Sequence, residues 1–131
     1  MVNAINSALS GLAAASKRLQ VSANNIANMH STRTVVDGNE VVSPYIAQQV
    51  QQISQAGGGV TTRVQDVNPR STPIFNPEDP DADANGFVAY PNVSLENEIV
   101  NQKIASYDYK ANLKTIKVQQ EMEQSLLDIL S

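Results

Sequence analysis

The sequence predicts a mainly α-helical protein in which N- and C-terminal helices form a coiled-coil core, with a small β-hairpin and extended insert between them. Three observations support this prediction. Apolar residues recur with heptad-like spacing at both ends, turn signals concentrate between the ends, and aromatic residues make up only 5% of the 131 residues. Aromatic side chains supply the largest buried areas, so a chain with few of them suits helix-to-helix packing better than a globular interior.

The N-terminal helix is expected from about Asn3 to Asn28. One apolar column recurs every seven residues, and a second column of mostly smaller residues falls midway between its members. The first column is Ile5, Leu12, Leu19 and Ile26, and the second is Leu9, Ser16 and Ala23. This spacing is typical of a coiled-coil strip. The strip can pack in the chain's own core or against another subunit, and the pattern favours neither.

The insert begins with a hairpin signal. Asp37-Gly38 lies between two pairs of valines, which predicts a tight turn joining two strands. Further strands are expected over Tyr45–Ile53 and Val60–Val67, separated by three glycines that suggest a flexible hinge. Five of the six prolines fall between Pro69 and Pro91. Proline lacks the amide donor, so this stretch is predicted to be an extended, ordered loop.

The C-terminal helix is expected from Leu95 to Leu130. Ser94 is a suitable N-cap, and Glu96 and Glu98 lie in the first turn, where carboxylates favour the positive helix end. Its apolar residues form two adjacent stripes, and one partner helix would cover only one of them. The chain therefore divides into an N-terminal helix at 1–30, an insert at 31–93 and a C-terminal helix at 94–131, the two helices forming one core domain.

Composition excludes several classes of function. The net charge is −4 and no basic cluster exists, which argues against nucleic-acid binding. There is no cysteine, so thiolate catalysis, disulfides and cysteine metal sites are excluded. No stretch approaches the roughly 18 apolar residues of a membrane span. The uncharged start at Met1–Ser7 does not resemble a cleaved secretory signal, so any export is expected to use an uncleaved N-terminus.

No motif in the sequence predicts a catalytic, cofactor or metal site. Asp81–Gly86 matches the first half of a calcium loop, but Asn92 occupies the position that requires a bidentate Glu. His30 is the only histidine and has no companion ligands, so it is interpreted as a solvated residue. We expect no cofactor and no enzymatic activity.

Segments at both ends resemble those of the flagellar rod–hook axial family. They are SALSGL at residues 7–12, RLQVSANNIAN at 18–28, EIVN at 98–101 and YKAN at 109–112. Within that family, the proline-containing segment at 76–93 and the short chain are similar to a proximal-rod member. The three matches in this order cover about two thirds of the chain.

The resemblance implies a structural subunit that polymerises into the helical rod, crosses the periplasm and transmits torque from motor to hook. It implies export from the cytoplasm through the flagellar type III apparatus, and contact with copies of itself, other rod proteins and rod-base or MS-ring components. The residues expected at the assembly interface are Ile5, Leu9, Leu12, Leu19, Ala23, Asn24, Asn25, Ile26, Asn28, Ile99, Asn101, Tyr109, Asn112, Leu113, Ile116, Met122, Leu127 and Leu130.

Alternatives remain at this point. Asn24, Asn25 and Asn28 can be helix-end caps instead of contacts between subunits. The chain can be another axial subunit, such as a different rod protein or a rod-base adaptor. A secreted helical binding module is a further class, and an enzyme is the least supported.

Overall fold

Two long helices flank three β-hairpins in the computed structural model, which describes residues 2–32, 34–36, 40–42 and 44–130. The elements are α1 (Val2–Ala27), β1 (Thr34–Val36), β2 (Glu40–Val42), β3 (Gln48–Ser54), β4 (Val60–Asp66), β5 (Ser71–Phe75), β6 (Phe87–Pro91) and α2 (Leu95–Leu130). Each consecutive pair of strands forms its own two-stranded antiparallel sheet. The predicted fold class is confirmed.

The two helices pack side by side in antiparallel directions. Asn25, near the end of α1, bonds Glu98 near the start of α2, and Gly11 lies against Asn112 further along. The helix α2 begins as predicted: the Ser94 hydroxyl accepts a hydrogen bond from the Asn97 N–H at 3.4 Å, which makes Ser94 the N-cap. None of the described helices is both long enough and apolar enough to cross a membrane.

The hairpin β1–β2 has the predicted partners, with Val35 opposite Val41. Its predicted turn residues, Asp37-Gly38, lie outside the described residues. The hairpin β3–β4 pairs Gln48 with Asp66 through Ser54 with Val60, so the first strand begins three residues later than predicted.

The glycines between β3 and β4 form a tight turn, which corrects the predicted hinge. Gly58 and Gly59 have φ angles of 90° and 83°, a conformation that favours glycine. The Gly58 N–H donates to the Gln55 carbonyl, and the Val60 N–H donates to the Ser10 hydroxyl of α1 at 3.0 Å. A side chain at Gly59 would collide with Ser10. The turn is therefore seated on α1.

The proline-containing segment is a hairpin and not the predicted extended loop. β5 and β6 pair from Ser71 opposite Pro91 to Phe75 opposite Phe87. Both are edge strands, so half of their N–H groups point away from the partner, and prolines such as Pro73 are tolerated at those positions. The proline count correctly excluded a helix but did not exclude a two-stranded sheet.

Candidate assembly interface

The contact between α1 and α2 is made by small and polar residues. On α1 the inward stripe is Ala8, Gly11, Ala15, Arg18, Ser22 and Asn25, and on α2 it is Glu98, Ala105, Asp108, Asn112 and Gln119. Ala105 is fully buried. These residues let the two backbones approach closely, but they bury little apolar area. We call this stripe the inner seam.

Asn25 is the main polar contact of the inner seam. Only 1% of its surface is exposed. Its amide N–H groups donate to the Gln48 carbonyl at 2.7 Å and to Glu98 Oε1 at 2.9 Å. Its Oδ1 accepts from the Tyr45 hydroxyl and from the Gln48 N–H, each at 3.0 Å. One side chain therefore ties the end of α1 to the start of α2 and to β3.

The neighbours of Asn25 complete this polar cluster. The Ser22 hydroxyl donates to the Glu98 carbonyl at 3.0 Å. Burial raises the pKa of the Tyr45 hydroxyl, and the nearby negative charge of Glu98 raises it further, because both disfavour the phenolate. Tyr45 therefore remains a neutral hydrogen-bond donor to Asn25 at physiological pH.

A salt bridge crosses the middle of the inner seam. Arg18 Nη1 lies 2.9 Å from Asp108 Oδ2, and the two side chains are 23% and 47% exposed. Water screens a pair this exposed, so it contributes at most about 1 kcal/mol. The salt bridge therefore contributes mainly by fixing the register of the two helices, and it adds little to the free energy of unfolding.

The predicted interface residues of α1 lie mostly beside the inner seam, not in it. Ile5, Leu12, Leu19 and Ile26 form a half-buried column along one flank, and Leu9 is 52% exposed. Ala23 and Asn24 are exposed, and Asn28 is half-buried, with its amide N–H donating to the Asn24 carbonyl. Asn25 is used within the chain. The heptad pattern thus identified a helix with an apolar flank, whereas the helix-to-helix contact uses the adjacent stripe.

The predicted interface residues of α2 are largely exposed. Ile99, Tyr109, Leu113, Met122 and Leu127 are exposed, and Ile116 is half-buried. Asn101 lines a polar cavity with Arg18, whereas Asn112 lies in the inner seam against Gly11. Leu130 ends α2, and its side chain lies outside the described part of the chain. A single helix with so much exposed apolar surface is typical of a protein interface.

The last turns of α2 extend past the described part of α1. Gly11 lies against Asn112, and the two helices run in opposite directions. Val2, nine residues before Gly11, is therefore level with Glu121, nine residues after Asn112. Beyond that point the inner-seam positions of α2 continue as Met122, Leu126 and Ile129. The stripe is therefore polar where it faces α1 and apolar beyond Glu121, where no described residue of α1 lies opposite it.

The end of α2, between Val118 and Ile129, carries an apolar groove of about 390 Å³. It is lined by Val118, Glu121, Met122, Ser125, Leu126 and Ile129. Ile129 is 80% exposed. We call this surface the overhang groove. The sequence pattern does not single out Leu126, because its place on the seam is apparent only once the register with α1 is known.

The calcium-like loop uses its carboxylate internally. Asp83 accepts hydrogen bonds from the backbone N–H groups of Asn85 at 2.8 Å and Phe87 at 2.9 Å. Among the described residues, no group of three or more His, Asp or Glu side chains could hold a metal ion. His30 is exposed in the turn after α1, where its ring meets the edge of Tyr90 at a centroid distance of 6.5 Å.

The Asp83 turn gives a testable pH dependence. The N–H of Phe87, followed by that of Asn85, holds the pKa of the Asp83 carboxyl below its ordinary value of 3.8. The hydrogen bonds to the ionised Asp83 carboxylate therefore stabilise the folded turn above pH 3.8. This contribution is lost as the pH falls through the lower pKa that Asp83 has in the folded chain. In an NMR titration, the Asn85 and Phe87 amide shifts should move with a midpoint below 3.8. Asp83→Ala should remove this transition; a midpoint at or above the ordinary value would contradict the assignment.

Comparisons with known proteins agree with this architecture. The profile described as "Flagella basal body rod protein" matches residues 5–33, and that described as "Flagellar basal body rod FlgEFG protein C-terminal" matches residues 84–129. The first covers most of α1, and the second covers β6 and nearly all of α2. The two matches therefore correspond to the two helical ends.

Individual relatives align over nearly the whole chain. The flagellar basal-body rod protein FlgC of Salmonella typhimurium is 40% identical over 93% of this chain and 92% of its own. The proteins of the same name from Escherichia coli O157:H7 and Borreliella burgdorferi are 38% and 31% identical, over 93% and 99% of this chain and 92% and 97% of their own. The chain therefore belongs to the flagellar basal-body rod protein family.

Proposed function

We propose that the chain is a structural subunit of the proximal rod of the flagellar basal body. In this role it polymerises with copies of itself and with other rod proteins into a helical tube, and it performs no catalysis. The observation that carries the proposal is the distribution of apolar side chains. The inner seam is small and polar, whereas twelve large apolar or aromatic side chains of α2 are exposed in the described structure. The relatives named FlgC support the same role.

The exposed surfaces suggest how the polymer gains its stability. A helix pair held by small residues contributes little hydrophobic free energy, and isolated helices are marginal in water. We infer that neighbours cover the flank column of α1 and the exposed stripe of α2. Close packing of these side chains between subunits would resist twisting, as transmission of torque from motor to hook requires. The interface residues predicted from the sequence remain our proposal for these contacts.

The division into helical core and insert is part of the proposal. Residues 1–30 and 94–131 would form the tube, and residues 31–93 would lie against it as a smaller β-rich part. The backbones of β5 and β6 lie close to each other and to neither helix among the described elements. This arrangement supports treating the β5–β6 part of the insert as separate from the core, whereas β3 and β4 pack against α1.

We further propose that the chain leaves the cytoplasm by the flagellar type III apparatus, without a cleaved signal, and joins rod-base or MS-ring components in the periplasm. A core whose buried apolar residues are small supports this route, because such a chain is easily kept unfolded before assembly. Apart from Pro91, the buried apolar residues of the described structure are alanines and valines.

Deleting the gene in its host tests the function. We expect the deletion strain to lose swimming and plasmid expression of the chain to restore it. Basal bodies purified from the complemented strain should contain the chain in their rod fraction by mass spectrometry. Normal swimming without the gene, or basal bodies that lack the chain, would refute the proposed role.

A further inference from the structure

The tip of the β5–β6 hairpin presents an exposed aromatic surface. Phe75 is 64% exposed, and its ring packs edge-on against Phe87 at a centroid distance of 5.4 Å. Ile74 beside it is also exposed. The Gly86 backbone packs closely against the Phe75 ring, because a Cβ at Gly86 would lie 3.0 Å from a ring carbon of Phe75. We call Ile74, Phe75 and Phe87 the aromatic tip.

Acidic residues are frequent in the loop that follows the aromatic tip. The loop between its two strands contains Glu78, Asp79, Asp81 and Asp83. Asp83 is committed to the turn, and Asp81 accepts a hydrogen bond from the Thr32 hydroxyl at 3.0 Å. Glu78 is exposed. Glu78 therefore gives the aromatic tip an exposed negative charge, which we call its rim.

A surface of opposite charge lies on α2. A groove of about 730 Å³ is lined by Lys110, Leu113, Lys114, Ile116, Lys117 and Gln120. Leu113 and Ile116 are its apolar lining residues, and the three lysines, all exposed, are called its rim. One of them, Lys117, has its Nζ 3.9 Å from Glu121 Oε1. We call this surface the lysine groove.

The two surfaces are far apart within one chain. The Thr32–Asp81 hydrogen bond holds the loop near the end of α1, which is also where α2 begins. Leu113 lies 18 residues beyond Leu95 along α2, a distance of roughly 27 Å. The backbones of β5 and β6 lie close to neither described helix. The aromatic tip and the lysine groove can therefore meet only between different copies.

We propose that the aromatic tip of one copy binds in the lysine groove of the next copy. The apolar side chains would fill the groove while the carboxylate and ammonium rims face each other, and such complementarity favours one orientation. Because two different surfaces meet, the contact does not close on itself, and repetition generates an open helical polymer. The inference rests on the proposed function, since it specifies which faces of neighbouring subunits meet.

The absence of native cysteine permits a direct cross-linking test. Glu78→Cys and Lys114→Cys place one thiol on each rim and leave the apolar residues intact. In oxidised basal bodies, the double variant should form a ladder of multimers. Each single variant alone should remain monomeric, and the two coexpressed should give a mixed dimer. Mass spectrometry of the linked peptides identifies the partner. A link to a different rod protein, or no link, would overturn the inference.

A charge exchange gives a second test that does not depend on thiol geometry. Glu78→Lys and Lys114→Glu should each lower the amount of chain in basal bodies about tenfold, and the double exchange should restore most of it. Lys103→Glu, an exposed residue outside the groove, is the matched control and should have little effect. If wild-type chain is present in basal bodies but the double exchange gives no rescue, the contact is wrong and the proposed function stands. If wild-type chain is absent, the proposed function itself fails.

Discussion

Replacing Asn25 with leucine is expected to lower the free energy of unfolding of the isolated chain by about 3 kcal/mol. Leucine has the same number of side-chain heavy atoms and the same branching, but it is bulkier and makes none of the four hydrogen bonds that Asn25 makes. The change leaves Glu98, the Tyr45 hydroxyl and both backbone groups of Gln48 without this partner in a partly buried position. An effect of this size lowers the melting temperature of a chain of this length by roughly 10 °C.

Circular dichroism at the helical minimum, followed during heating, measures this loss. Asn24→Leu is the matched control, because Asn24 is the adjacent residue and is exposed. We expect the control to change the melting temperature by no more than about 2 °C, as is typical of surface substitutions. Equal melting temperatures for the two variants would show that the buried hydrogen bonds of Asn25 contribute little.

Leu126→Asp is expected to abolish swimming while leaving the isolated chain unchanged. Leu126 is 47% exposed and lines the overhang groove, which no described residue of α1 covers. If a neighbouring subunit buries this leucine, the aspartate removes apolar contact and places a charge in an apolar surface. The combined cost is about 3 kcal/mol per contact, which weakens each contact on the order of a hundredfold.

Three measurements on this variant separate an assembly defect from a folding defect. The first is swimming in soft agar, the second is the amount of chain in purified basal bodies, and the third is the circular dichroism of the free chain. Gln124→Asp is the control, since it adds the same charge at an exposed position outside the groove. Wild-type swimming of the Leu126 variant would show that the overhang groove is not part of the rod.

The sequence predicted the elements that are determined locally. The bounds of α2 follow from a suitable N-cap at Ser94 and an uninterrupted run of helix-forming residues. The hairpin β1–β2 follows from Asp37-Gly38 between valines. In both cases, neighbouring residues contain the information, so no knowledge of distant contacts is required. The β5–β6 hairpin was missed because Pro73 and Pro91 are unfavourable in a central strand but acceptable in an isolated pair.

The inner seam could not be predicted from hydrophobic periodicity. That signal follows large apolar residues, and here they lie on the flank of α1 and on the exposed face of α2. The contact residues, such as Ala8, Ser22 and Asn112, have no distinctive pattern until a partner is placed opposite them. Asn25 looks like a helix-end cap in the sequence, because only the folded chain brings Tyr45, Gln48 and Glu98 to it.

The polar character of the inner seam also determines how the helix pair responds to a pulling force along its axis. In a seam built from leucines, one helix can slide by seven residues and meet equivalent side chains again. Here such a slip would move Asn25 from Glu98 to Ala105, and Arg18 from Asp108 to Thr115. The Asn25 amide would then lose its carboxylate acceptor, and the Arg18 guanidinium would exchange a carboxylate for the neutral hydroxyl of Thr115. Directional bonds thus protect the helix pair against sliding. A pulling force would have to break these bonds before one helix could shift along the other.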